Sequence, residues 1–443
     1  MHKSDAVNMT HGSIIRLIMG FMLPTFLGNI FQQFYNIADS IIAGQFLGIE
    51  ALAAVGSTGS LMFFVTGWVS GLCSGFGVLL SQSFGAGDYK RMHHYAAMSI
   101  ILAVLNGIIF SVLLLFGNIG ILHFMNYSND MIPLVSGYMK IIYIGILITS
   151  AYNLAAAFLR ALGDSRTPLY FLVFSAVLNV LLDIVFILKW NMGVEGCAFA
   201  TIIAQGVSAL LCLGYIIRKY PVLHLSKQDF CISLKSFYQL LVIGVPMGLQ
   251  FSITAVGTIV VQTAVNGYGE IYMAGFSTAG KIQNLLNTVY VAFGTTLATF
   301  VGQNLGANKL NRIKAGVKTV QIMSVVWSII TMVVMFWGAK YFVYFFVSPS
   351  EVETVEVAVH YFRTVLWFYP LLGSIFIYRN VLQGMGYGMV PFLGGVFELA
   401  ARGTVASFVG SASFTGICLA DPIAWGAALV ALIPYYFYRI RRV

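Results

Sequence analysis

Charged residues are scarce in this chain. Lys, Arg, Asp and Glu make up 9% of its 443 residues, and hydrophobic residues make up 59%. A soluble domain carries about 25% charged residues, so this composition excludes an ordinary soluble protein. Each helical membrane span needs roughly 20 apolar residues, and with short loops this length has room for about twelve spans. We therefore predict an all-α polytopic membrane protein.

The residue patterns of catalysis, metal binding and nucleic-acid binding are also missing. The five cysteines form no CxxC pair, and four of them lie in apolar segments, which is typical of small core residues. There is no P-loop and no nucleophile elbow. The net charge of +9 is spread over the ends of apolar segments and forms no basic patch or arm. We expect no enzyme activity, no cofactor and no nucleic-acid partner, and we expect a monomer surrounded by membrane lipid.

Apolar segments punctuated by Gly, Pro and charged residues account for most of the chain. They predict twelve spans, at residues 14–44, 51–81, 94–117, 133–160, 168–189, 194–218, 236–266, 271–301, 313–338, 355–384, 391–411 and 418–438. The one long polar break leaves six spans on each side. We therefore predict an N-terminal six-helix bundle over 1–218, a cytoplasmic linker over 219–235 and a C-terminal six-helix bundle over 236–443.

Lys and Arg residues are distributed unevenly between the two sides of the predicted membrane. If the N-terminus is cytoplasmic, all but six of the 24 fall on the inner side, and Arg379 is one of the residues on that side. The six are Lys140, Lys189, Lys281, Lys340, Arg363 and Arg402. The predicted outer loops contain the acidic residues Glu50, Asp130, Glu195, Glu270, Glu351, Glu353, Glu356 and Asp421. The positive-inside rule then places both termini in the cytoplasm and the protein in the cell membrane (plasma or inner).

The two halves of the sequence repeat each other. Matched pairs, separated by 221 to 223 residues, are Gln82/Gln303, Gly85/Gly306, Ala86/Ala307, Arg91/Arg312, Pro24/Pro246, Gly163/Gly386 and Pro168/Pro391. The Gly-rich segments 83–91 and 304–312 in these repeats are predicted to end helices at the inner surface. An even number of spans in each half gives two bundles related by pseudo-two-fold symmetry along the membrane normal. Two such bundles leave a cleft, where an alternating-access transporter binds its substrate.

A polar stripe interrupts the first apolar segment. Its members, spaced three and four residues apart, are Asn29, Gln32, Asn36 and Asp39. On a helix this spacing puts them on one face. Pro24 stands upstream in the same segment, where it removes a backbone hydrogen bond and allows a bend. Because an acid within a membrane span is costly, it is a functional-site hypothesis by default.

Three further polar residues fall at the depth of Asp39. Asn179 and Asp183 stand four apart in the fifth predicted span, and Thr201 lies in the outer part of the sixth. Two carboxylates, an amide and a hydroxyl at one level form an oxygen-rich pocket for a proton or for sodium. Two neighbouring carboxylates also favour reversible protonation of one of them. The alternative is a structural role, in which these groups only bond to adjacent helices.

The second half lacks the two acids of this site. At the repeat offset Asp39 corresponds to Val260 or Val261, and Asp183 corresponds to Ala406. No acid occurs anywhere in the first span of the second half. We therefore expect ion coupling to take place in the first half.

The second half has buried charges of its own, predicted at Lys281, Glu398 and Arg402. Glu398 and Arg402 stand at i, i+4 on one span and predict an ion pair, for which a structural role is favoured over substrate binding or gating. Lys281 has no evident partner in the sequence. We expect the substrate cleft to be lined by Gln32, Asn36, Gln250, Lys281 and Asn284.

The chain resembles the multidrug and toxic compound extrusion (MATE) exporters over essentially its whole length. The resemblance lies in PTFLGNIFQQFYNIADSIIAGQFLG (24–48), ALAAVG (51–56), GAGDYKR (85–91), AFLRALGDSRTP (157–168) and LGANKLNR (305–312). It implies an antiporter that expels amphipathic, often cationic, compounds against an inward flow of protons or sodium.

Within that family the first-half acids are similar to the DinF-like pattern. This resemblance implies that Asp39, Asn179, Asp183 and Thr201 form the proton or cation site, with sodium as the candidate metal, and that the first span bends at Pro24 on coupling. The NorM-like branch has a further acid in the seventh span, and this chain has none there.

Two other functions compete with export. A lipid-linked oligosaccharide flippase of the same superfamily needs a strongly cationic cavity for pyrophosphate, and here only Lys281 and Arg402 are candidates. A membrane-embedded enzyme or receptor has no catalytic constellation in the sequence to support it.

Overall fold

The computed structural model describes residues 6–48, 56–125, 127–410 and 413–442, except the side chains of 36–40 and 43. Its α-helices are α1 Ile14–Leu47, α2 Gly59–Ala86, α3 Tyr89–Phe124, α4 Met131–Ile144, α5 Ile146–Ala161, α6 Arg166–Ile184, α7 Gly193–Lys219, α8 Leu234–Asn266, α9 Glu270–Gly306, α10 Leu310–Val343, α11 Val352–Val365, α12 Tyr369–Gly384, α13 Met389–Phe408, α14 Phe414–Cys418 and α15 Ala420–Ile440. No β-strand occurs in these ranges. Helix is expected because lipid supplies no hydrogen-bond partners to the backbone.

The predicted membrane class is confirmed. Within the described ranges eleven helices are long and apolar enough to cross a membrane, or twelve if α4 and α5 count as one span. These two helices were predicted as a single span over 133–160, but the chain bends by 47° between them, at Gly145. A Cβ on Gly145 would run into the Ile202 side chain of α7, so glycine permits a close approach there.

The sequence repeat is visible in the backbone. Left-handed residues recur at equivalent positions of the two halves. The pairs are Gly48 (φ 88°) and Gly269 (φ 95°), Gly87 (φ 70°) and Asn308 (φ 56°), and Gly163 (φ 82°) and Gly386 (φ 91°). Gly87 and Asn308 follow the ends of α2 and α9, so the predicted helix ends in the Gly-rich segments are confirmed. Glycine and asparagine are the residues that tolerate this conformation best.

Contacts divide the chain into two compact units. Unit 1 is Leu27–Gly248 with the N-terminal segment up to Asn8, and unit 2 is Met9–Phe26 with the chain from Leu249 onward. These units differ from the predicted halves. Unit 1 includes the first part of α8, the first helix of the second half, and unit 2 includes the first part of α1, the first helix of the first half. In α1 and in α8 the division falls two residues after a proline, at Pro24 and Pro246 respectively.

In unit 1, α2 and α8 pack glycine against glycine. A Cβ on Gly75 would lie 2.5 Å from the Cα of Gly244, and a Cβ on Gly71 would lie 2.6 Å from the Met247 carbonyl oxygen. Gly244 and Gly248 stand four apart, as Gly71 and Gly75 do. Paired small residues at this spacing let membrane helices approach closely, which stabilises them through van der Waals contact.

Replacing Gly75 by alanine should destabilise the protein, because the new methyl group has no room between α2 and α8. Overpacking of this kind costs about 1–3 kcal/mol. Gly214→Ala on α7 is the matched control, since nothing lies within 4 Å of a Cβ there and alanine favours helix by about 1 kcal/mol over glycine. The measurement is the thermal unfolding temperature of each purified variant. Equal temperatures for the two variants would contradict this packing.

The polar segment between the halves is held by α3 in unit 1. The Nε2 atom of His93 lies 2.7 Å from a backbone carbonyl of the segment, and the ring of His94 contacts the Asp229 carbonyl oxygen and the Ser236 hydroxyl at 3.3 and 3.0 Å. The backbone N–H of Ser226 donates to the Asp229 carboxylate at 2.6 Å and holds the pKa of that group below its ordinary value. The segment therefore has defined structure.

Unit 2 holds the segment that precedes α1 with residues of its own repeat motif. The backbone N–H of Met9 donates to Gln303 Oε1 at 2.8 Å, and Arg312 Nη2 donates to the Met9 carbonyl at 3.1 Å. Lys309 Nζ donates to the Thr10 carbonyl at 2.9 Å. Gln303 and Arg312, which the sequence repeat singled out, thus bind the chain entering α1.

Candidate functional site

Three of the predicted coupling residues lie in the interior of unit 1. Asn179 and Asp183, one turn apart on α6, have no exposed side-chain surface, and Thr201 on α7 is 4% exposed. The Asn179 amide donates to Thr201 Oγ1 at 3.5 Å. Because Asp183 follows Asn179 by one turn on α6, it lies on the helix face that meets Thr201 of α7. The structure therefore brings together residues that the sequence placed at one depth.

Helix α1 reaches this site through Tyr35. Its hydroxyl donates to Thr201 Oγ1 at 3.1 Å. The sequence prediction did not include Tyr35, although it stands four residues before Asp39 and so lies on the same helical face. Helix α1 continues through Asn36 and Asp39, whose side chains lie outside the described part of the chain.

Pro24 is buried within α1, which continues through it as a single helix. Proline leaves a backbone carbonyl one turn earlier without its usual partner. That carbonyl belongs to Gly20, whereas the neighbouring Thr25 hydroxyl donates to the Phe21 carbonyl at 2.9 Å. The predicted bend at Pro24 remains a prediction.

The second-half counterparts of the acids are apolar; Val261 and Ala406 are buried, and Val260 is half-buried. Val261 is 4% exposed and Ala406 is 5% exposed, and Val261 packs in an apolar cluster with Val405 and Ile417. Small aliphatic side chains here can neither take up a proton nor coordinate a cation. Unit 2 therefore lacks this acid site at the equivalent place.

The glutamines predicted to line the cleft differ in their surroundings. Gln250 is buried in unit 2, where Gln383 Nε2 donates to its Oε1 at 2.8 Å. Gln32 on α1 is half-buried. Asn36 falls among the side chains that the structure does not describe. The Gln250 side chain is therefore hydrogen-bonded to α12, a contact that the sequence did not indicate.

Lys281 and Asn284 on α9 are both exposed. The prediction of Lys281 as a buried charge is wrong. Its ammonium lies 5.9 Å from the centre of the Phe346 ring, a cation–π distance. A long side chain with a terminal charge keeps that charge outside the interior more easily than a short one.

Unit 2 contains a chain of buried ion pairs across three helices, hereafter the ion network. The predicted Glu398–Arg402 pair on α13 is confirmed, with Arg402 Nη1 3.6 Å from Glu398 Oε2. Arg379 on α12 also donates to Glu398, and Arg402 Nε donates to Asp421 on α15 at 2.7 Å. Arg402 packs against Gly257 of α8, where a Cβ would lie 2.9 Å from Nη1.

One member of the ion network corrects the sequence prediction. Asp421 was counted with the outer-loop acids, whereas the placement of Arg379 with the inner-side cations stays a prediction. Both lie within membrane helices, with side chains 8% and 23% exposed. Charge counting assigns residues near the end of a span to loops, and only packing shows that Asp421 turns inward to meet a partner.

The chain matches the MatE family model twice, over residues 24–185 and 246–417. It is 30% identical over 386 residues to the probable multidrug resistance protein YpnP of Bacillus subtilis (strain 168), covering 86% of this chain and 85% of that protein. It is 22% identical to the multidrug export protein MepA of Staphylococcus saprophyticus, covering 97% and 95%.

Solved structures share the fold. A MATE in complex with MaL6 superposes with a TM-score of 0.91 at 20% identity over the full length of both chains. A MOP superfamily transporter from Pyrococcus furiosus gives a TM-score of 0.92 at 21% identity, covering 100% of this chain and 99% of that one. The two family matches fall one on each side of the polar break, in agreement with the internal repeat.

Proposed function

The chain belongs to the MatE family, and from this premise we propose that it exports small amphipathic, often cationic, compounds in exchange for protons or sodium. Relatives across nearly the whole chain are named multidrug resistance and multidrug export proteins, which supports drug-like substrates. Export proceeds by alternating access, in the cell membrane and with both termini in the cytoplasm. The observation that carries the coupling role is the fully buried Asp183 beside Asn179 and Thr201.

The cost of burying a carboxylate in lipid supports coupling at this site. An ionised Asp in a membrane helix costs roughly 2.5–3.5 kcal/mol on insertion scales, and a bound proton or cation removes that penalty. Carboxylate, amide and hydroxyl oxygens are the ligands of hard cations such as sodium. In this proposal Asp39, Asn179, Asp183 and Thr201 hold the ion.

Tyr35 connects ion binding to movement of α1. An ion that recruits Thr201 Oγ1 competes with the hydrogen bond that this atom accepts from Tyr35. Loss or gain of that bond changes how the part of α1 beyond Pro24 is held in unit 1. A bend at Pro24 would then alter the substrate cleft and release substrate outward.

Purified protein in proteoliposomes tests this function directly. A pH gradient and a sodium gradient are imposed separately, and uptake of a fluorescent amphipathic cation is followed. We expect transport with one of the two gradients and none without either. Equal uptake in protein-free vesicles under both gradients would refute coupled export.

Tyr35→Phe should weaken coupling without abolishing it. The substitution removes one hydrogen bond worth about 0.5–1.5 kcal/mol, which corresponds to a change of up to about tenfold in apparent affinity for the coupling ion. The measurement is the transport rate as a function of ion concentration. Tyr170→Phe, which changes an exposed tyrosine of α6, is the control and should leave the curve unchanged. An unchanged curve in Tyr35→Phe would exclude this contact from coupling.

The flippase alternative has two candidate cations for binding pyrophosphate, and one of them, Arg402, is already ion-paired. Arg402 is bonded to Glu398 and Asp421, and Lys281 is exposed. A pyrophosphate group would therefore meet Arg402 only at the expense of its ion pairs. For the enzyme alternative, recovery of unchanged substrate from proteoliposomes separates transport from chemistry.

A further inference from the structure

Unit 2 contains a buried polar cluster that is separate from the coupling site. Its side chains come from α9, α10 and α12, and we call them the hydroxyl seam: Tyr290, Ser324, Trp327, Ser328, Thr331 and Tyr369. The two tyrosines and Ser324 have no exposed surface, and Ser328 and Thr331 are 1% and 3% exposed. Ser324, Ser328 and Thr331 follow at helical spacing and share one face of α10.

Direct contacts join the three helices at this seam. The hydroxyls of Tyr290 and Ser328 lie 2.8 Å apart. The ring of Tyr290 meets the ring of Tyr369 edge-on, with centroids 6.4 Å apart. Ser324 faces Gly373 of α12 so closely that a Cβ on that glycine would collide with its hydroxyl. These contacts join Tyr290, Ser324, Ser328 and Tyr369, and helical spacing puts Thr331 and the half-buried Trp327 on the same face of α10.

Several polar atoms of the seam have no hydrogen-bond partner among the described residues. They are Ser324 Oγ, Trp327 Nε1, Thr331 Oγ1 and Tyr369 OH. Two amide oxygens of the same helices, Asn287 Oδ1 and Gln321 Oε1, are also unbonded. Buried polar groups in native proteins are almost always hydrogen-bonded, to protein or to ordered water. These six atoms on α9, α10 and α12 therefore have unused capacity to hydrogen-bond to a bound ligand.

The chemistry of these atoms selects the ligand. An indole N–H only donates and an amide oxygen only accepts, whereas a hydroxyl does both. A metal cation would satisfy the oxygens but would repel the indole N–H of Trp327. Water donates and accepts, and buried water makes about three hydrogen bonds to otherwise unsatisfied groups. Water is thus the one small ligand that suits every member of the seam.

We propose that the hydroxyl seam is a binding site for ordered water molecules inside unit 2. Tyr369 stands at its edge towards the ion network, because its ring lies 6.3 Å from that of Trp425, which follows Asp421 by one turn on α15. Water bound here solvates the Asp421 end of the ion network. This role is independent of ion coupling in unit 1.

Radiolytic hydroxyl labelling of the full-length protein in nanodiscs tests the proposal. Brief X-ray exposure generates hydroxyl radicals from bound water, and mass spectrometry measures the rate at which each side chain is oxidised. Tyr361 is the matched comparison, since it is 2% exposed in the same unit and its hydroxyl donates to Gln283. We expect Tyr290 and Tyr369 to be labelled several-fold faster than Tyr361. Equal or slower labelling of the two seam tyrosines overturns the proposal.

The double substitution Ser324→Ala and Thr331→Val provides a second measurement. It removes two hydroxyls with little change in shape, and we expect the labelling of Tyr369 to fall towards that of Tyr361. Unchanged fast labelling of Tyr369 in a folded double variant would overturn the assignment of water to the seam hydroxyls. The wild-type comparison decides the proposal even if the variant fails to fold, and neither result depends on transport activity.

Discussion

Asp183→Asn should abolish coupled efflux while leaving the protein folded. Asparagine keeps the size of the side chain and one acceptor oxygen, but it can neither take up a proton nor supply a negative charge to a cation. Because Asp183 is fully buried, loss of the charge also removes an insertion cost of roughly 2.5–3.5 kcal/mol, so stability should be equal or higher. Efflux of a fluorescent cation from cells should fall to the level of cells without the protein. Asp39→Asn should have the same effect.

The control for this experiment is Asp130→Asn. Asp130 precedes α4, is exposed and makes no side-chain bond to the helix N-terminus, so the same chemical change there should leave efflux intact. Expression and thermal unfolding are measured for all three variants. Undiminished efflux in a normally expressed Asp183→Asn protein would remove the first-half site from the coupling mechanism.

Glu398→Leu should be strongly destabilising. It leaves the buried Arg379 without its carboxylate partner, and breaking a buried ion pair costs about 3–5 kcal/mol. The double variant Arg379→Met and Glu398→Leu should recover most of this loss, because replacing both charges with apolar side chains is often neutral or stabilising. The measurement is the thermal unfolding temperature of the purified protein, with transport measured in parallel.

Glu353→Gln is the control for the ion network. Glu353 is exposed in the first turn of α11, so its neutralisation should change stability little. If Glu398→Leu unfolds at the same temperature as the wild type, Glu398 is not required to compensate the charge of Arg379. A double variant that is stable but inactive would assign the ion network to function rather than to structure.

The two halves differ in how they use buried charge. In unit 2 the carboxylates of Glu398 and Asp421 are bonded to arginines. In unit 1 the buried Asp183 lies beside an amide and a hydroxyl. Ion coupling in the first half stays a prediction, which the Asp183→Asn variant tests.

Composition and local spacing accounted for much of this protein. Scarce charge and long apolar segments determined the membrane class and nearly every helix, because a backbone in lipid has to bond to itself. The repeat predicted that helices end in both Gly-rich segments, where Gly87 and Asn308 have a left-handed backbone. The helical period predicted that Asn179 and Asp183 share a face and that Glu398 pairs with Arg402, because residues four apart on a helix are neighbours in any fold.

Contacts between distant parts of the chain were decided only by tertiary packing. The Tyr35–Thr201 bond, the Arg379–Glu398 pair and the Arg402–Asp421 pair join different helices. Which faces meet depends on close-packed shapes, such as the glycines of α2 and α8 that admit each other's backbone. For the same reason Asp421 resembled a loop acid in the sequence but is a half-buried ion-pair partner within a helix of the fold, since a residue's position along one helix does not specify which helix packs beside it.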